Sequence, residues 1–174
     1  MKYIKLVFCT ILFVLVFSNA NVYADEIVKI DTTTIYLVRH TEKELNGDKN
    51  PKLTDQGIQR AEFWAKVLSG TEIDAVYSTD TIRTRDTAKP VANSKDKEVI
   101  LYDARGIDYA EFVKSNLNKT VFVVGHSNTT PGFVNALIGV DKYQDLDDSD
   151  YSSLFIVDIV GEKRIGKLLT VNPF

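Results

Sequence analysis

Apolar and polar positions along the chain switch between two periods. Thr33–Val38 (TTIYLV) is a β-branched and aromatic run and predicts a strand. From Thr54 to Leu68 the spacing becomes helical. Ile58, Ala61, Ala65 and Leu68 recur on one face, Thr54 stands at a capping position and Gly70 follows. Ile73–Tyr77, Val99–Tyr102 and Thr120–Val124 return to the strand pattern, while Thr81–Asn93 and Tyr109–Leu117 read as helices. Pro90 is expected to bend or break the helix that contains it. Pro131 falls in the first turn of the helix after the fourth strand, where proline is favoured. Ser153–Val160 and Arg164–Val171, joined by Gly161-Glu162-Lys163, predict a terminal hairpin.

Strand–helix alternation implies crossover units. The expected fold is α/β: a three-layer α/β/α sandwich with a mostly parallel central sheet and a C-terminal antiparallel hairpin. No repeat, linker or second domain interrupts it, so residues 25–174 are expected to form one domain. In such sheets ligands bind beyond the carboxyl ends of the strands.

The start of the chain breaks this pattern. Lys2 and Lys5 precede a short apolar run, Leu6–Phe17, and a small-residue stretch ends at Val22-Tyr23-Ala24. That order predicts a secretory signal peptide over residues 1–24. The expected product is exported, periplasmic or secreted, with no stable membrane insertion once the signal is removed. The alternative is a retained N-terminal anchor. Cys9, the only cysteine, leaves with the signal, so disulfide and thiolate chemistry are not expected. The formal charge of −3 becomes more negative when Lys2 and Lys5 are lost, which argues against a nucleic-acid partner.

The chain has two histidines, and each follows a predicted strand. His40 ends Leu37-Val38-Arg39-His40, and His126 ends Val123-Val124-Gly125-His126. Arg83 lies midway between them, in the opening turn of the helix after the second strand. Three strand ends thus bring two imidazoles and two guanidiniums to one edge of the sheet. Guanidiniums bind phosphate oxygens through paired, charge-assisted hydrogen bonds. A neutral imidazole is a competent nucleophile toward phosphorus, and neighbouring arginines keep it neutral. The set points to phosphoryl transfer through a phosphohistidine.

Four segments, in order over about residues 33–160, resemble the histidine phosphatase (phosphoglycerate mutase-like) superfamily. They are Leu37-Val38-Arg39-His40-Thr41-Glu42-Lys43, Pro51 to Ala61, Tyr77-Ser78-Thr79 through Arg83-Thr84 to Pro90, and Val124-Gly125-His126-Ser127-Asn128-Thr129-Thr130-Pro131. The resemblance implies that His40 is the nucleophile and that Arg39, Arg83 and His126 clamp the phosphate. It implies no cofactor and no metal. Thr41 stands where the family has a glycine close to the phosphate. Larger members carry a carboxylate between the second arginine and the second histidine, and Asp103 is the candidate proton donor here. Its other reading is a cap or turn residue. Glu42, beside the nucleophile, is a second carboxylate whose other reading is to order its loop.

The intervals between His40, Arg83 and His126 are nearly filled by predicted elements, leaving no long insertion for a lid. Hydrolysis of a phosphomonoester or phosphoramidate is therefore expected, rather than transfer of the mutase type. The partner would be a small phosphorylated substrate or a phosphoprotein. The main alternative is an exported protein that binds phosphate or a phospho-ligand without turnover. Gly125-His126-Ser127-Asn128-Thr129 also resembles a serine-hydrolase elbow, but no histidine follows to complete that triad. Asp145–Asp150 lacks the glycine and terminal glutamate of a calcium loop and reads as a solvated acidic loop.

Overall fold

The computed structural model describes residues 31–174. The proposed signal peptide, residues 1–24, lies outside them. The elements are β1 (Thr32–Arg39), α1 (Asp55–Val67), β2 (Ala75–Thr79), α2 (Ile82–Ser94), β3 (Val99–Tyr102), α3 (Tyr109–Ser115), β4 (Thr120–Gly125), α4 (Thr129–Ile138), β5 (Ser153–Val160) and β6 (Lys163–Thr170). They form one six-stranded sheet in the order β3-β2-β4-β1-β5-β6. The first four strands of that order pair in parallel, and β5 and β6 join antiparallel. The three-layer α/β/α fold with its terminal hairpin is as expected. The hairpin turns at Gly161, whose φ of 57° suits glycine in a tight turn.

The central strands are buried on both faces, which explains their near-continuous apolar sequences. Alternate residues divide between two cores. Ile35, Leu37, Val121, Val123, Phe155 and Val157 pack with Phe112, Phe133, Val134 and Leu137 from α3 and α4. Val38, Val76, Phe122, Val124 and Leu154 pack with Trp64, Leu68, Val91 and Ala92 from and beside α1 and α2.

Two local expectations are met only in part. Helix α2 runs through Pro90 to Ser94 without a break. Proline removes only the bond to the Asp86 carbonyl, while Ala88, Val91 and Ala92 are buried against the sheet and hold the turns on either side. In α1 the buried residues are Gly57, Arg60, Ala61 and Trp64; of the expected stripe, Ala61 and Leu68 are buried and Ala65 packs against the core, but Ile58 does not. Ile58 is 48% exposed. The cause is a close backbone approach. A Cβ on Gly57 would lie 2.1 Å from the Glu42 carbonyl oxygen, so this position must meet the loop after β1. Thr54 caps the helix by accepting from the Gly57 N–H at 3.1 Å, as expected.

This approach predicts that Gly57→Ala destabilises the protein by about 1–3 kcal/mol or more, the scale of overpacking. Gly132→Ala, in open space within α4, should instead stabilise it by up to about 1 kcal/mol. Urea midpoints of the two variants check both signs.

Candidate active site

The register of the sheet builds the site. Arg39 pairs with Gly125 at the ends of β1 and β4, and the His40 N–H donates to the Gly125 carbonyl at 2.9 Å. His40 and His126 therefore leave neighbouring strands side by side, with ring centroids 5.6 Å apart. Gly125 is required there, because a Cβ would lie 2.7 Å from Thr130 Oγ1 and 3.1 Å from the Tyr102 hydroxyl. Helix α2 starts just past the end of β2, capped by Thr81, and carries Arg83 in its first turn. One open cleft of about 910 Å³ is lined by Arg39, His40, Arg83, His126 and Asp103, among others. All five residues singled out by sequence thus reach the same cleft.

His40 is 3% exposed. Its Nδ1 lies 2.8 Å from the Thr41 carbonyl, so Nδ1 carries the hydrogen and Nε2 keeps its lone pair. Burial is the main cause that lowers its pKa, to about 3. Arg39, Arg83 and His126 add to this and the Thr41 carbonyl opposes it. His126 is lowered to about 4, by burial and then by Arg83 and Arg39. Burial and Arg39 also depress the Arg83 guanidinium. Near neutral pH, two uncharged imidazoles face two cations.

Arg39 is 3% exposed, and main-chain oxygens hold it. Its Nη1 donates to the carbonyls of Asp147, Asp148 and Asp150 at 2.8, 3.2 and 3.0 Å. Tyr151 covers the guanidinium, with its ring centroid 4.4 Å away. Asp147 and Asp150 spend their carboxylates on Ser149, Ser152 and Ser153. The acidic segment keeps most of its side chains in solvent, as expected, and its main chain is in addition the clamp on Arg39. Sequence reasoning missed both the clamp and Tyr151. The only available signal was the Asp-Ser alternation, which favours local turns.

Thr41 does not line the cleft. Its N–H donates to Thr87 Oγ1 at 3.0 Å and its hydroxyl donates to the Gly57 carbonyl at 2.8 Å. The side chain that replaces the family's glycine is fully buried toward α1 and α2. Glu42 is paired with Arg60 through Nε at 2.9 Å and Nη2 at 2.8 Å, which assigns it to ordering the loop. Asp103 is exposed and accepts from the Arg105 N–H at 2.9 Å, a turn role that coexists with its place in the cleft. Among the described residues, no group of three His, Cys, Asp or Glu side chains is arranged to hold a metal ion.

Known proteins match both the sequence and this geometry. The sequence profile of the histidine phosphatase superfamily (branch 1) matches residues 35–105. Over that stretch the chain is similar to the histidine phosphatase superfamily. Phosphoserine phosphatase 1 of Hydrogenobacter thermophilus is 37% identical over 75 residues, which is 40% of this chain. The match spans only 36% of that relative's length. Among solved structures, a mutant phosphoserine phosphatase from Entamoeba histolytica with phosphoserine superposes with a TM-score of 0.63 at 20% identity, covering 78% of this chain and 95% of its own. The protein histidine phosphatase SixA with tungstate gives 0.63 at 15% identity, covering 79% and 96%. At such identities the superpositions establish the fold of the superfamily.

The histidines predict a pH signature of stability. Unfolded, each imidazole binds a proton near pH 6.5; folded, only near 3 or 4. Between these values the unfolded chain holds more protons, so stability is lost as pH falls from about 6.5. Unperturbed carboxylates titrate near or below the lower end of this window. Urea midpoints between pH 7 and 4.5 should fall in the wild type, and the slope should flatten in His40→Asn. An unchanged slope would show that His40 is protonated in the folded state.

Proposed function

We propose that the protein is a phosphatase that hydrolyses a phosphomonoester or phosphoramidate through a phosphohistidine on His40. One observation carries the reading: Arg39 Nε and Arg83 Nε and Nη1 are buried without a hydrogen-bond partner, in the cleft that holds both neutral imidazoles. Unpaired buried donors cost free energy, and phosphoryl oxygens would recover it through charge-assisted bonds. The names of the relatives, a phosphoserine phosphatase and a protein histidine phosphatase, support the same class.

In the first step the His40 Nε2 lone pair bonds to phosphorus. The phosphorus–oxygen bond breaks and its electron pair goes to the leaving oxygen, which takes a proton from Asp103 as the proposed donor. Water then attacks phosphorus, the phosphorus–nitrogen bond breaks, and its electron pair returns to Nε2. The water proton passes to the Asp103 carboxylate, which restores the donor. Arg39, Arg83 and His126 stabilise the charge on the equatorial oxygens in both steps. No step calls for a metal. The cleft is open, and Lys43, Asp80, Arg105 and Asp148 also line it. This suits a small phosphorylated substrate or a phosphoprotein and favours water over transfer of the mutase type. Among the described residues no helix is long and apolar enough to cross a membrane.

The test is turnover of p-nitrophenyl phosphate in EDTA. We expect activity that His40→Ala abolishes and that Arg83→Ala lowers by about 10³–10⁵, the scale of an arginine finger. A near-wild-type rate in His40→Ala overturns the mechanism. A loss below tenfold removes Arg83 from it. A folded protein that turns over nothing but binds phosphate would be the phospho-ligand binding protein instead.

We also propose export, on the basic, apolar and small-residue order of residues 1–24. Released protein should begin at Asp25 on N-terminal sequencing. Full-length chain confined to membranes would mean an anchor.

A further inference from the structure

The ring of His126 is held at both nitrogens. Nε2 lies 3.0 Å from Thr79 Oγ1, and Nδ1 lies 3.4 Å from Arg83 Nη2. An arginine nitrogen only donates, so Nδ1 is the acceptor. A neutral ring then carries its hydrogen on Nε2, and the hydroxyls beyond it are placed to accept it. Thr84 Oγ1 spends its hydrogen on main-chain carbonyls, that of Thr79 at 2.7 Å and of Thr81 at 3.0 Å. Thr79 Oγ1 then donates to Thr84 Oγ1 at 3.1 Å. Thr81 Oγ1 lies 2.8 Å from Thr84 Oγ1 as well and can also donate to it; since a neutral ring carries one hydrogen and Nδ1 accepts from Arg83, that hydrogen sits on Nε2 and Thr79 Oγ1 accepts it. Thr79 and Thr84 are both buried, so water does not compete freely for these bonds.

We propose that Thr79 is a positioning residue that fixes His126 as the Nε2–H tautomer and turns its bare Nδ1 toward Arg83 and the phosphoryl site. The neutral ring would present a lone pair to an incoming anion. The site resolves this by taking one proton from solvent at Nδ1 as the phosphoryl group arrives, while Arg83 Nη2 turns from Nδ1 to the anion. The ring then donates from Nδ1 to a phosphoryl oxygen while Nε2–H stays on Thr79. Burial, then Arg83 and Arg39, hold the ring neutral until the anion comes, and His40 faces it with ring centroids 5.6 Å apart. The tautomer assignment stands on hydrogen-bond geometry alone, whereas its use in catalysis rests on the proposed phosphatase reaction.

The test is long-range ¹⁵N–¹H correlation of ¹⁵N-histidine-labelled protein at pH 7. Two histidines give two ring systems, and His40→Ala assigns them. We expect His126 to be protonated at Nε2 in the wild type and in Thr79→Ser, with the tautomer mixed or reversed in Thr79→Val. Vanadate should add a proton at Nδ1 in the wild type. An Nδ1–H tautomer in the free wild type overturns the proposal, as does an unchanged tautomer in Thr79→Val. Should Thr79→Val not fold, the wild type and Thr79→Ser still decide it. In turnover, Thr79→Val should lower kcat about tenfold to a hundredfold, the scale of one hydrogen bond to a charged group, and Thr79→Ser should restore it. Equal losses in both would mean packing and overturn the positioning role. If no phosphate ester is hydrolysed, the fault lies with the proposed reaction, and the spectra still decide the tautomer.

Discussion

The hydrogen bond from the His40 N–H to the Gly125 carbonyl extends the β1–β4 ladder one step beyond its last paired residues, Arg39 and Gly125. The rest of the cleft depends on that extension. Two parallel strands that end in register deliver two side chains to the same height, and the spacing between strands sets how far apart the rings stand. A loop of ordinary flexibility would not hold two desolvated imidazoles at 5.6 Å. The sheet does so because both strands are buried on both faces, so their ends cannot drift without opening a core.

Burying Arg39 carries an electrostatic cost. A guanidinium that far from water needs compensation. A carboxylate partner would cancel its charge and compete with an anionic ligand. Main-chain carbonyls instead supply partial negative charge without a full counter-ion. The Asp147–Tyr151 segment brings three of them to one nitrogen and places a ring over the guanidinium plane. Arg39 stays a cation, oriented but not neutralised. The Glu42–Arg60 pair follows the opposite rule: there a full ion pair is acceptable, because its task is to fix the loop after His40.

Features that depend on local chemistry were legible in the sequence. Strand runs, the Thr54 cap and the strand-end positions of His40 and His126 needed only periodicity and neighbours. What escaped depends on contacts distant in sequence. The buried stripe of α1 is rotated toward Gly57 because that glycine meets Glu42, and no property of α1 alone announces this. The clamp on Arg39 joins residues more than a hundred positions apart through backbone atoms that carry no side-chain signature. Asp103 reaches the cleft as read, and its turn is real as well, so its two readings were never exclusive.

The manner of that clamp has an evolutionary consequence. A contact made through carbonyl oxygens constrains the path of a loop and leaves its side chains free to change. Descendants of this chain can replace Asp148 without losing the hold on Arg39, provided the turns and the loop length persist. Drift at that position then alters the cleft rim that Asp148 lines while the hold on Arg39 stays in place. The rim of the cleft can diverge along this lineage faster than the cluster of guanidiniums and imidazoles beneath it.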